Sequence, residues 1–359
     1  MVVSLPPLRA AQETGRRYPD IWKQIDEVRG IGVEFGYRWD EKICYCPITI
    51  AIGALTGRQG MSRADASGLG GLVAALAAWR REKRVYRFDP DLAAEVMASA
   101  DDLVIPTEVL RQMPASCLYI QAGGVDESGS DGFFAWVEQD VENDRQELRL
   151  LFLDADGRMV TQYMVHLMPG GTIKDGVDAA QREMRRNASA LESEGVDRSM
   201  LELAISGSDE ARGTIVRAVQ LVLYICAENA DIRENEDQKR VYRRGASVSD
   251  KFREVRQWDV GDDLGGQIRM IRSRRSSRTG NGPGNLTETE AGDSEIGSGS
   301  PRRYKNRPHL RRAHWHHYWV GEGRRKIVLK WINTMIVNAE DGETGVTVQI
   351  VEKEEEQCY

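Results

Sequence analysis

Apolar positions along the first hundred residues recur at helical spacing. In the charged stretch 8–29, Ile21, Trp22, Ile25 and Val28 fall on one face, as an amphipathic helix requires. Ser62, with Asp65 three residues on, has the form of a helix N-cap. The helix it opens carries Leu69, Leu72, Leu76 and Trp79 toward a core before the basic run Arg80–Arg84. A short helix is expected over 90–99 and another after Pro106. Beyond Cys117 the period changes. Cys117–Gln121, Gly132–Glu138, Glu147–Leu153 and Met159–Val165 are β-branched or aromatic runs separated by polar turns, which predicts strands. Asp154-Ala-Asp-Gly157 joins two of them. It begins like a calcium loop but lacks the later ligand positions, and Asp-Gly is a strong turn signal, so a hairpin turn is predicted. Helices resume over 173–194 and 198–229, the second with a buried apolar face.

From Arg272 to Lys305 the chain is mostly Gly, Ser, Arg, Thr and Glu, with one Leu and one Ile. So little apolar surface does not offset the entropy of ordering it, and a disordered linker is expected. The chain then divides into a helical N-terminal part (1–112), an α/β central domain (113–271), an Arg/Ser/Gly-rich linker (272–305), a C-terminal His/Arg/Trp β-element (306–351) and an acidic tail (352–359). The fold class this implies is α/β (α+β): a helical N-terminal part, a central, mostly antiparallel sheet flanked by helices, and a C-terminal β-hairpin docking on the body.

Composition narrows the function classes. An apolar fraction of 41% and a charged fraction of 29% over 359 residues are those of a soluble protein large enough for two lobes. No apolar run approaches the ~18 residues that span a bilayer. The strongest, Ile215–Cys226, is interrupted by Arg217 and Gln220 and reads as a buried helix. The start, Met1-Val-Val-Ser-Leu-Pro-Pro7, has neither a basic nor an apolar leader segment, which argues against secretion. Cys44 and Cys46 are too close for an ordinary bridge, Cys117 and Cys226 sit in apolar runs, and Cys358 lies on the acidic tail, so five free thiols in a reducing compartment are expected. A cytoplasmic protein without membrane partners or cofactors follows. The net charge of −7 conceals an asymmetry: residues 301–326 hold seven Arg and two Lys against one Glu, a local +8 that leaves −15 for the rest. Such a basic element on an acidic body focuses an anionic partner onto one face.

Four of the five histidines lie in that basic region, as His309, His314, His316 and His317, interleaved with Arg307, Arg311, Arg312, Trp315, Tyr318 and Trp319. As a strand over 311–320, the segment places Arg312, His314, His316 and Tyr318 on one face. Ala313, Trp315, His317 and Trp319 fall on the other, which would pack on the core. Gly321-Glu-Gly323 forms a turn and Lys326–Ile332 reads as the returning strand. The outward face suits three functions: peptide or RNA binding through arginine and aromatic rings, phosphodiester cleavage by a pair of imidazoles with Arg312 steadying charge, or metal binding by His314 and His316. Metal binding needs a third ligand, and His309 lies across Pro308. A framework role, with Trp315, Trp319 and Trp331 as core, is the fourth reading. Other signals are weaker. Gly30–Gly36 follows a helical stretch instead of a strand, Gly68–Gly71 lacks the Lys-Ser/Thr of a phosphate loop, and His166 ends an apolar strand as a core histidine would.

The same segment resembles a known family. Arg307-Pro-His-x-Arg-Arg-x-His-Trp-His-x-Tyr-Trp-x-Gly-x-Gly323, with Lys326, Trp331 and Val337-Asn338, is similar to the C-terminal signature of the second class of type V-A anti-CRISPR proteins. The likeness continues upstream through Trp79-Arg80, Val85–Asp89, Ile105-Pro106, Met113-Pro114, Cys117–Tyr119 and Asp131–Trp136, covering roughly residues 65–340 in order. The resemblance implies an inhibitor encoded on a plasmid or phage. It would recognise the nascent N-terminal peptide of a type V-A CRISPR effector nuclease during translation and cause loss of the message, with ribosome and mRNA as further partners. Under it, Arg307, His309, Arg311, Arg312, His314, Trp315, His316, Tyr318 and Trp319 are the expected peptide- or RNA-binding residues. The protein is then an adaptor, with an RNA-binding regulator or a histidine-dependent ribonuclease from a mobile element as the alternatives. The long linker, the acidic tail and the extended N-terminal helical part depart from the family pattern.

Overall fold

The computed structural model describes residues 5–34, 37–99, 103–141, 143–193, 198–235, 255–279, 309–311, 313–332 and 335–337. Four helices open the chain: α1 (Pro6–Arg17), α2 (Ile21–Glu34), α3 (Ile48–Thr56) and α4 (Arg63–Trp79). The single helix expected over 8–29 is thus two. Pro19 disfavours helical geometry at Tyr18, and Asp20 takes a left-handed φ of 64° to restart the chain at Ile21. Ser62 caps α4 as expected: its Oγ accepts the Asp65 N–H at 3.0 Å and donates to the Asp65 carboxylate at 2.6 Å.

The central sheet contains β1 (Arg84–Phe88), β2 (Cys117–Gln121), β3 (Gly132–Asp140), β4 (Arg145–Leu153), β5 (Met159–His166), β6 (Ile232–Glu234) and β7 (Arg256–Val260), in the order β5-β4-β3-β2-β1-β7-β6. It is mostly antiparallel; only β1–β2 and β1–β7 are parallel. The turn Asp154–Gly157 joins β4 to β5 as predicted, with Gly157 at φ 82°. The Asp154 carboxylate accepts the Asp156 and Arg158 N–H groups and so serves the turn.

Alternation along these strands builds two cores. Val85, Cys117, Tyr119, Phe134, Trp136 and Leu151 face one way and meet Ala10 of α1 and Leu72, Leu76 and Trp79 of α4. Tyr86, Phe88, Leu118, Ile120, Phe133 and Leu150 face the other. They meet α5 (Pro90–Met97), the 3₁₀ turn Thr107–Gln112, α6 (Ile173–Ser193), α7 (Arg198–Cys226) and α8 (Asp262–Thr279). The result is three layers, helices on both faces of one sheet. β1 lies inside the stretch expected to be helical, and β6, β7 and α8 were not predicted. α8 also runs into the segment expected to be a linker. The four described cysteines are buried and free. Among the described residues no helix is long and apolar enough to cross a membrane.

Charge is buried where β3 and β4 meet the helical layer. Glu138 accepts the Ile48 N–H at the start of α3 (2.6 Å) and the Trp136 indole N–H (3.1 Å). Glu147, directly opposite on β4, is fully buried between Arg145 and Arg149. Arg145 also binds Glu183 of α6 at 2.8 Å, and His166 lies 3.3 Å from the same carboxylate. His166 is therefore buried in an ion network. Its pKa is lowered, first by desolvation and then by Arg145. Burial pushes the Glu138 carboxyl up from 4.5 to about 7, outweighing its two donors and Arg149. A carboxyl raised on folding stabilises below its unfolded value and loses that contribution as pH rises through the folded one. Relative to Glu138→Gln, the parent is expected to lose roughly 3 kcal/mol of unfolding free energy between about pH 4.5 and 8. Urea titrations of both across that range check this, and parallel curves for the two proteins would sink it.

Candidate functional site

The C-terminal element is a hairpin of β9 (His314–Val320) and β10 (Lys326–Ile332), extended by β8 (His309–Arg311) pairing with β11 (Met335–Val337). His309 pairs with Val337 and Val320 with Lys326, the same register throughout, so the two ribbons are one hairpin interrupted between Arg311 and His314. At its tip Gly321 and Gly323 adopt φ of 81° and 70°, the left-handed values glycine accepts without penalty. Arg324, at φ 50°, completes the five-residue turn.

Two sets of contacts hold the hairpin on the body. On its core face Trp331 packs at 4.7 Å from Trp315 and edge-on to Tyr224 of α7. The Trp315 indole N–H donates to the buried Gln220 of the same helix. Along the edge of β10, the Gln112 side chain donates to the Ile327 carbonyl (2.8 Å) and the Glu228 N–H to the Leu329 carbonyl (2.9 Å). Asn229 takes both groups of Trp331, accepting its N–H at 2.9 Å and donating to its carbonyl at 2.8 Å. The amide of Asn229 thus imitates a neighbouring strand.

The sequence-predicted residues divide as follows. Ala313 is buried and Trp315 and His317 are half-buried, on the expected core side. Trp319, expected to join them, is 41% exposed. The packing against α7 is at the Trp315–Trp331 end, whereas Trp319 sits near the turn, where its cross-strand partner Ile327 takes the buried place. His314, His316 and Tyr318 lie on the outer face, with His316 exposed and the His316 and Tyr318 rings 5.8 Å apart. Lys330, opposite His316, reaches over the Tyr318 ring at 5.6 Å and pairs with Glu228 at 3.4 Å. Its pKa is raised, first by its bond to Tyr318. His317 is pushed down, first by desolvation and then by His316, which favours a neutral imidazole. His309 and Arg311 stand on β8; Arg307 and Arg312 lie outside the described residues. Among the described residues no three His, Cys, Asp or Glu groups converge as metal ligands would.

Gln112, Gln220, Glu228, Asn229 and Lys330 belong to this site and were not predicted. Only Lys330 carried a signal, through its place on the returning strand. The 3₁₀ turn that supplies Gln112 also borders a cleft of about 520 Å³, lined by Lys42, Arg81, Arg111, Met113, Pro114 and Val137 among others. The hairpin thus carries cationic and aromatic groups, and the cleft has both basic (Lys42, Arg81, Arg111) and acidic (Glu41, Glu82) walls.

Three likenesses to known proteins place the chain in a family. The crystal structure of AcrVA2 superimposes with a TM-score of 0.53 at 15% identity, covering 90% of this chain and 96% of that one; at this identity the likeness is one of fold. Protein FinQ of Escherichia coli is 21% identical over 220 residues, 55% of this chain and 60% of its own length. The profile of the anti-CRISPR type V subtype A2 family (AcrVA2-like) matches residues 86–339, from β1 to just beyond β11, and the chain belongs to that family.

Asn229 sits outside the hairpin yet fixes its edge. Asn229→Ala is expected to cost about 1–3 kcal/mol, since it removes two hydrogen bonds to the Trp331 backbone. Hydrogen exchange would read this as faster exchange along β10, with the central sheet unchanged. Undiminished protection of the Trp331 amide would contradict it.

Proposed function

We propose that this chain blocks production of a type V-A CRISPR effector nuclease by recognising its nascent N-terminal peptide during translation, with loss of the encoding mRNA as the consequence. Family membership over residues 86–339 supports the target class. The observation that carries peptide recognition is the outer row of β9, His314, His316 and Tyr318, presented on a hairpin whose other strand is hydrogen-bonded to the body at Ile327, Leu329 and Trp331. A surface fixed before its ligand arrives loses little conformational entropy on binding, which suits capture of a short peptide at the ribosome. The local +8 of residues 301–326 supports a docking site near ribosomal RNA, whose phosphates attract such a segment. The chain then acts in the cytoplasm as an adaptor.

Tagged protein, recovered from cells translating a type V-A effector nuclease, is expected to bring down ribosomes bearing that message. Synonymous recoding of the first codons should leave recovery intact, whereas a compensated frameshift that changes only the N-terminal peptide should abolish it. His316→Ala with Tyr318→Ala is expected to reduce recovery about tenfold, the loss of roughly 1.4 kcal/mol. Recovery that follows the nucleotide sequence instead would establish an RNA-binding regulator. Cleavage of the message by purified protein without ribosomes, lost in His316→Ala, would establish a ribonuclease.

A further inference from the structure

In an antiparallel pair each residue either exchanges bonds with its partner or turns its N–H and C=O to the opposite edge. Ile327, Leu329 and Trp331 turn theirs to the body, where Gln112 and Glu228 meet the first two carbonyls and Asn229 meets both groups of Trp331. Their partners on β9 are Trp319, His317 and Trp315, whose backbone groups must therefore point away from β10. Among the described residues no strand pairs with that edge. β9 is also the less covered strand: none of its residues is fully buried, whereas four of the seven in β10 are. An open row of alternating donors and acceptors is a template for one more strand.

The geometry points to strand addition on β9: an extended peptide, its alternate residues apolar and acidic, joins the hairpin as a third strand along Trp315–Trp319. This rests on the peptide-recognition reading above and names its mode. Side chains of an added strand alternate between the two faces of the hairpin. Those beside Trp315 and Trp319 meet indole, and Trp319 is the exposed large ring of that row. Those on the outer face meet His316 and Tyr318, both within the segment of local charge +8. Carboxylates suit the second set and apolar groups the first. With seven residues in β9, the site spans a peptide of similar length. Main-chain bonds supply affinity and the alternation supplies selectivity.

The probe is a fluorescent peptide of alternating Val and Glu, eight residues of design, compared with a block peptide of the same composition. Anisotropy titration of the full chain is expected to show the alternating peptide binding at least about tenfold more tightly. N-methylation of one alternate set of amides should then weaken binding by more than about tenfold, while methylation of the other set changes it less than about twofold. In antiparallel addition the sensitive amides are those of Val, and in parallel addition those of Glu, so the result also reports the direction of the strand. His317→Pro removes an outward N–H that the β9–β10 ladder does not use, and is expected to weaken the probe comparably. Circular dichroism and protection of β10 report whether the variant is folded. Equal sensitivity of both methylated sets, or no preference for the alternating peptide, overturns strand addition. Full recovery of ribosome-borne nascent chains by folded His317→Pro also overturns it while leaving peptide recognition standing. Failure of the parent to recover any nascent chain removes the reading beneath it.

Discussion

Once β10 is laid against the body, every backbone group on its buried edge needs a partner, because an unpaired amide or carbonyl there costs about as much as several good contacts gain. Residues far apart in the chain meet the carbonyls of Ile327 and Leu329 and both groups of Trp331: Gln112 from a 3₁₀ turn, the Glu228 backbone and the Asn229 side chain from the loop after α7. Their spacing matches the two-residue repeat of a strand edge, at Ile327, Leu329 and Trp331. Combined with the β9–β10 register, that spacing decides which backbone groups of β9 are left outward. The tryptophan pair Trp315–Trp331 on Tyr224 adds area, while Gln220 adds direction by taking the Trp315 indole N–H.

Beneath the hairpin, the sheet is stiffened by the same principle applied to charge. Glu147 is fully buried yet stands between two arginines, and Arg145 carries the network on to Glu183 and His166. A buried ion network of this kind is weak evidence of net stability but strongly penalises any arrangement that separates its members. It ties α6 to β4 and β5, as the aromatic core ties α4 to β2 and β3. Glu138 lies beside it, and burial, with a smaller push from the neighbouring Glu147, holds its carboxyl above the usual range despite its two donors and Arg149.

The histidine cluster has a different meaning on this frame than in isolation. His317 is turned inward and desolvated, His314 and His316 lie outward beside Tyr318, and His309 stands on the other ribbon. The four do not form one group. What the hairpin offers as a unit is an edge and two faces, one aromatic and one carrying His316, Tyr318 and Lys330, and the proposal of peptide recognition rests on that arrangement. The whole hairpin lies within residues 86–339, the span over which the chain matches the anti-CRISPR type V subtype A2 family.

Local pattern determined the helices α4, α6 and α7, the strands β2 to β5, the Asp154–Gly157 turn and the hairpin itself. In each, periodicity, caps and turn residues act between neighbours. Pro19 was equally local, a helix break in plain view within a stretch whose apolar spacing masked it. β1 and β7 were not legible, because five-residue runs such as Arg84–Phe88 become strands only through pairing with β2 and with each other across more than a hundred residues. The signature residues were visible as a list, but alternation alone assigned Trp319 to the core. Whether a tryptophan on the apolar face is covered depends on how far the body extends beneath it, and that is decided by packing at a distance. Which backbone groups of β9 point away from β10 follows from contacts that Gln112, Glu228 and Asn229 make on the opposite strand, so only the tertiary structure reveals it.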